Sequence, residues 1–269
     1  MNLRWRLATS FILICLISVV IFLFPPIFLG IGTAFFCARC LYEYMNMLRH
    51  RGVFVYRWYG VTIGAIIPLL VYFQERSIPF YEILIIILAC FALFIMYFNH
   101  PDSKHALDGI ALTFFGILYI SWFMSFVLRI RFLDGGPMWI AYILVVTKIS
   151  DVGAYLIGTR FGRTPLLKHV SPKKSLEGTI AGLLFSAMAS CAMGPFLPIE
   201  FGYAHLFLMG VLISVVGQLG DLAESLIKRY CGMKDASQRL PGFGGLLDVV
   251  DSVLFTLPLF YFYLRYSFS

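Results

Sequence analysis

Apolar residues fill this chain in blocks of roughly 20, the length that crosses a bilayer, and its charges and turn residues gather in the gaps between blocks. With those gaps as boundaries, the pattern predicts nine transmembrane helices, near residues 7–24, 27–47, 55–73, 80–98, 106–128, 137–158, 176–197, 203–226 and 249–266. The expected fold is therefore all-α and polytopic, a single membrane domain over residues 1–269. Arg4 and Arg6 precede the first block, which is long and has no small-residue cleavage site, so it reads as a retained anchor rather than a removable signal. Residues 1–135 are N-terminal spans rich in Phe and Ile with short loops. The polar information is concentrated in residues 136–269, between Lys148 and Ser252.

Composition agrees with a membrane protein. Hydrophobic residues make up 60% of the chain and charged residues 13%, against about 25% charged in a soluble domain. The mean hydropathy is +0.87. A chain of this length has no water-soluble core large enough to hide that much apolar surface. Cations set the expected orientation, because short cytoplasmic loops are enriched in Lys and Arg. With a cytoplasmic N-terminus, only Arg76, Arg129, Arg131 and Arg265 of the 21 basic residues fall on the far side, and Arg39 and Lys148 fall within spans. The formal net charge of +7 is thus spread over loops at the membrane edge. It suits contact with anionic lipid of the bilayer, and no basic soluble surface exists to hold nucleic acid. The compact chain has no organelle-targeting signal, and the expected address is the inner (cytoplasmic) membrane of a bacterium. Cys37 and Cys40 form an isolated CxxC inside a span, and neither they nor the histidines have metal-ligand spacing.

Chemistry enters with charge inside the membrane, which is expensive and is usually paired or functional. Lys148 and Asp151 lie three apart in the sixth block and share a helical face with Tyr155, either as a packing pair or as part of a site. In the eighth block Gly217, Asp221, Glu224, Ser225 and Lys228 recur at intervals of three and four. They form a polar stripe that lines an aqueous cavity or packs on another polar helix. Between these blocks, SPKKSLEG sets Ser171, Lys173 and Lys174 just before a helix start that Ser175 caps, with Glu177 in its first turn, and a helix N-terminus beside lysines suits an anion. Farther on, PGFGG supplies Gly244 and Gly245, where backbone N–H groups can approach phosphate closely. Asp248 and Asp251 follow, three apart. Together with Asp221 they form a carboxylate set suited to Mg²⁺, which shares protein carboxylates with substrate phosphates.

The stretches DVGAYLIGTRFGR, SPKKSLEG and GDLAESLIKRYCGMKDASQRLPGFGGLLDVVDS resemble the phosphatidate cytidylyltransferases, or CDP-diacylglycerol synthases, over roughly residues 148–256. The resemblance implies that CTP and phosphatidate react at the cytoplasmic membrane edge to give CDP-diacylglycerol and pyrophosphate. Asp221, Asp248 and Asp251 would hold Mg²⁺, and a second cation is left open. Asp221, Lys173, Lys174, Asp248 and Lys228 would be catalytic. Arg229 and Lys234 would hold phosphates, while Ser171, Glu177, Asp235, Gly244, Gly245 and Asp151 would shape the substrate pocket. A homodimer is implied as well. Two letters depart from the family pattern: Phe243 stands where His is usual, and Val249 where Arg is usual. A catalytically altered relative acting on another lipid phosphate is one alternative, and a transporter with a charged intramembrane cavity is another. The motif of the CDP-alcohol phosphotransferases is not matched, since Asp108-Gly109 is followed by IAL and Asp248 to Asp251 is one residue short.

Overall fold

The computed structural model describes residues 16–75, 81–98, 106–167, 169–237 and 244–267. Among these, residues 16–22 are helical, and eight longer helices follow: α1 (Pro26–His50), α2 (Arg57–Gln74), α3 (Tyr81–Phe98), α4 (Ala106–Arg131), α5 (Gly136–Phe161), α6 (Leu176–Met193), α7 (Tyr203–Tyr230) and α8 (Leu247–Ser267). Within α4, residues Ile117–Trp122 form a π-helical segment. A two-stranded antiparallel hairpin, β1 (Pro165–Leu167) and β2 (Ser171–Ser175), joins α5 to α6.

Among the described residues, six helices, α3 to α8, are long and apolar enough to cross a membrane. The fold is an all-α polytopic membrane protein, as the pattern predicts, but the expected count of nine is not confirmed. α1 and α2 coincide with the second and third expected spans, yet α1 contains Arg39, Glu43 and Arg49, and α2 runs from Arg57 to Gln74 through Pro68. Such residues dilute the apolar run. Half of the first expected span, residues 7–15, lies outside the described residues.

The chain divides into two compact units, one of residues 1–132 and 231–249, the other of residues 133–230 and 250–269. In the first unit α1 packs on α2 and α2 packs on α4. Tyrosine hydroxyls satisfy main-chain carbonyls across this bundle: Tyr44 donates to Leu112 O at 3.0 Å and Tyr97 to Phe54 O at 2.9 Å. Arg129 of α4 joins Glu75, at 3.2 Å, and Glu82 of α3.

The second unit is built on α5, α6 and α7. Lipid offers no hydrophobic force to press helices together, so close contact and hydrogen bonds between helices do that work. A serine-rich seam runs through the three. Tyr142 and Ser190 hydroxyls are 2.5 Å apart, Ser150 and Ser214 hydroxyls 2.6 Å apart, and Ser186 donates to Gly210 O at 2.8 Å. The start of α6 is well determined: Ser175 Oγ accepts the N–H of Gly178 at 3.2 Å, the N-cap arrangement expected of that residue. Glu177 turns back to accept the N–H groups of Arg163 (3.1 Å) and Thr164 (3.2 Å), which ties the hairpin to the helix.

Candidate active site

In the second unit the polar face of α7 meets the start of α8. Gly220 makes this possible, since a Cβ there would stand 2.5 Å from the carbonyl oxygen of Asp251 and 3.2 Å from the Phe255 ring. The close approach brings Asp221 and Glu224 of α7 together with Asp251 of α8, and ligand oxygens of the three lie within 4.8 Å of one another. Glu224 and Asp251 are buried, while Asp221 is partly exposed. Each pair of carboxylates at that spacing repels by about 3–4 kcal/mol at an effective dielectric of about 20. Such a group needs cations.

Lysines supply some of them. Lys174, in β2, sits 2.6 Å from Asp221 Oδ2, and Lys228 pairs with Glu224 one turn away on α7. Two ammonium groups against three carboxylates leave an excess negative charge, and every donor is a hard oxygen. The residues present therefore fit a hard divalent cation such as Mg²⁺. Ser225 Oγ lies 3.5 Å from Asp221 Oδ1 and adds a neutral oxygen to the same face.

Beside this group is a second polar knot. Lys148 on α5 donates to Asp151 Oδ2 (3.1 Å) and to Ser252 Oγ of α8 (3.0 Å), and the Ser252 hydroxyl donates to Asp151 Oδ2 at 3.1 Å. The predicted Lys148–Asp151 pair forms, with a serine as its third member. Lys173 is exposed on β2 next to the seated Lys174. Arg229 donates through Nε to Val170 O at 3.2 Å and so ties the end of α7 to the hairpin. Ser171 opens β2 opposite Leu167.

The remaining site residues of the sequence belong to the first unit. Lys234 and Asp235 are exposed in the segment after α7. Gly244 has φ +85°, a left-handed conformation that glycine adopts without strain. Asp248, in the first turn of α8, accepts the N–H of Gly245 at 2.6 Å and of Ala236 at 3.0 Å, both through Oδ2. The Gly245 N–H that the sequence offers to a phosphate thus points at Asp248. Phe243 and Arg239 lie outside the described residues, while Val249 donates its N–H to Leu246 O at 3.1 Å in the opening turn of α8.

Sequence reasoning placed Glu224 on the right helical face but did not include it among the ligand carboxylates, although its i,i+3 spacing from Asp221 was the available signal. It also missed Ser252. A serine beside an aspartate carries no signal of its own.

Comparison with known proteins places these motifs in a larger whole. Over 158 residues the chain is 37% identical to the uncharacterized protein YnbB of Escherichia coli (strain K12), covering 59% of this chain and 52% of that protein. It is 36% identical over 158 residues to a phosphatidate cytidylyltransferase of Bacillus subtilis (strain 168), covering 58% and 59%. Against a phosphatidate cytidylyltransferase of Staphylococcus aureus (strain COL) it is 43% identical over 126 residues, 46% and 48% of the two chains. The chain thus spans from about half to three fifths of the length of the curated relatives it matches. The model of the cytidylyltransferase family matches residues 4–267, and by that match this chain belongs to the cytidylyltransferase family.

Proposed function

We propose that the protein transfers the cytidylyl group of CTP to phosphatidate, giving CDP-diacylglycerol and pyrophosphate, at the cytoplasmic face of a bacterial inner membrane. The observation that carries this reading is the seating of Lys174 on Asp221 beside Glu224 and Asp251 in a membrane chain of the cytidylyltransferase family. The names of the Bacillus and Staphylococcus relatives support the choice of lipid. The concentration of Lys and Arg in alternate loops supports the orientation.

A phosphate monoester has its second pKa near 6, so at neutral pH the lipid phosphate is largely dianionic and no strong general base is required. One of its oxygens forms a bond to the α-phosphorus of CTP, and the bond from that phosphorus to the α,β-bridging oxygen breaks, releasing pyrophosphate. The obstacle is anion meeting anion. Lys173, Lys174 and Lys228, with Arg229 and Lys234, screen that repulsion and hold phosphate oxygens in line, the positioning and electrostatic work that dominates phosphoryl chemistry. Asp221 and Asp251, with Glu224 beside them, would hold Mg²⁺, which when bound neutralises charge on the triphosphate and leaving group. Asp248 is the third ligand that the sequence pattern offers. Its Oδ2 already accepts two backbone N–H groups, so its part is tested separately. Ser171, Glu177, Asp151, Asp235, Gly244 and Gly245 shape the substrate sites, and the active form is a homodimer.

The test is direct. The full chain, purified in detergent, is incubated with CTP, phosphatidate and Mg²⁺, and both products are followed by mass spectrometry while light scattering gives the mass of the assembly. Stoichiometric CDP-diacylglycerol and pyrophosphate are expected, strictly dependent on Mg²⁺. Absence of product across several phosphatidic acids would sink the reading.

A further inference from the structure

α1 lies in the half of the chain that has no motif, yet its single carboxylate is almost fully engaged. Glu43 is buried, 3% exposed. Its Oε2 accepts the N–H of Leu247 at 3.1 Å and its Oε1 accepts the hydroxyl of Ser237 at 3.1 Å. Arg39, one turn earlier on α1, lies 3.6 Å from Oε1. The fit is close on the other side too, since a Cβ on Gly245 would come within 2.5 Å of Oε2. A carboxylate taken out of water persists where hydrogen bonds and opposite charge replace its hydration.

All these contacts fall within the first unit, and they converge on two stretches, 231–237 and 244–248. Ser237 Oγ is also 3.4 Å from Gly244 O, and Asp248 joins the two from within by accepting the N–H groups of Ala236 and Gly245. Lys234, Asp235, Gly244 and Gly245 are carried on them. The bonds from Glu43 reach across 194 and 204 residues of sequence, so no local preference produces them.

We infer that Glu43 is a positioning residue for the proposed reaction: it fastens the stretches 231–237 and 244–247 so that Lys234, Asp235 and Gly244 are already ordered when substrate phosphates arrive. What these stretches bind rests on the cytidylyltransferase reading above, whereas how they are held does not. Without the strut, part of the substrate's binding energy goes into ordering the chain. Re-ordering about one backbone residue weakens binding roughly tenfold.

The experiment uses the full chain in detergent, as wild type, Glu43→Ala, Glu43→Gln and Ser237→Ala. Kinetics with varied CTP are paired with hydrogen–deuterium exchange of peptides covering 231–247. Glu43→Ala is expected to raise KM for CTP about tenfold with kcat within about threefold, and to speed exchange in 231–247 but not in α5 to α7. Glu43→Gln should recover most of the loss, because its amide oxygen can accept the Leu247 N–H while its NH₂ donates to Ser237 Oγ. A residue that only packs would lower stability without separating KM from kcat and without rescue by the amide. The inference is overturned by a Glu43→Ala protein whose KM and exchange both match wild type. Should that variant not fold, Ser237→Ala carries the test: a smaller rise in both readouts supports the strut, and no change in either overturns it. If wild type makes no CDP-diacylglycerol, the reaction reading fails and the exchange comparison alone decides the strut.

Discussion

Two sets of carboxylates in this chain are held in opposite ways. Asp221 and Glu224 are answered by the ends of lysine side chains, Lys174 and Lys228. Glu43 and Asp248 are answered chiefly by main-chain N–H groups and a hydroxyl, with Arg39 farther off at 3.6 Å from Glu43. An ammonium on a flexible stem can swing to a phosphate and leave its carboxylate to a metal, so the first arrangement is exchangeable. A backbone N–H cannot swing away. The second arrangement is therefore about shape, and the first about charge.

That contrast is open to attack at four places. The largest effect is expected from Asp221→Asn, which removes charge where charge is the point: turnover should fall roughly 10³-fold, read as CDP-diacylglycerol formed per minute, and activity within tenfold of wild type would break the assignment. Lys174→Met should cost roughly 10²-fold, with the deficit shrinking as Mg²⁺ is raised, since the cation can replace part of the missing screening. Asp248→Asn keeps an oxygen acceptor for Ala236 and Gly245 while deleting the charge. A loss of only about tenfold is expected, and a loss as deep as that of Asp221→Asn would move Asp248 to the metal. The smallest effect is expected from Phe243→His, which restores the usual family residue. Turnover should stay within about a factor of two, far below the roughly 10²-fold scale of a lost acid–base group, and a tenfold gain would show that this site has not compensated for the missing imidazole.

The sequence made the helices of the second half legible because their apolar blocks are long and their boundaries chemically marked. Ser175 caps α6, and the i,i+3 pair Lys148–Asp151 forms on α5. Local rules govern both. The carboxylate set was legible in part, as the stripe on α7 is periodic, but which acidic groups converge depends on where α8 lands, and Gly220 sets that contact. The β-hairpin is too short and polar for strand alternation to announce it. Glu43 was illegible for a different reason. A charge in a span signals cost, but only the folded chain shows that Leu247 and Ser237 meet it. The π segment Ile117–Trp122 likewise departs from helical periodicity with no Pro or Gly inside it to announce it.

The length of the bond from Glu43 to Leu247 also has a meaning in time. A ribosome adding about 5–20 residues per second makes Glu43 roughly 10–40 s before its acceptor site can be filled by a residue 204 positions later. Until then α1 must carry a carboxylate whose two final donors have not been synthesised. Neighbouring Arg39, four residues earlier and already made, is a partner on its own helix present from the start. Ser237 and Leu247, made late, therefore complete the surroundings of α1, and a nascent chain stopped before Leu247 would leave Glu43 without its main-chain donor.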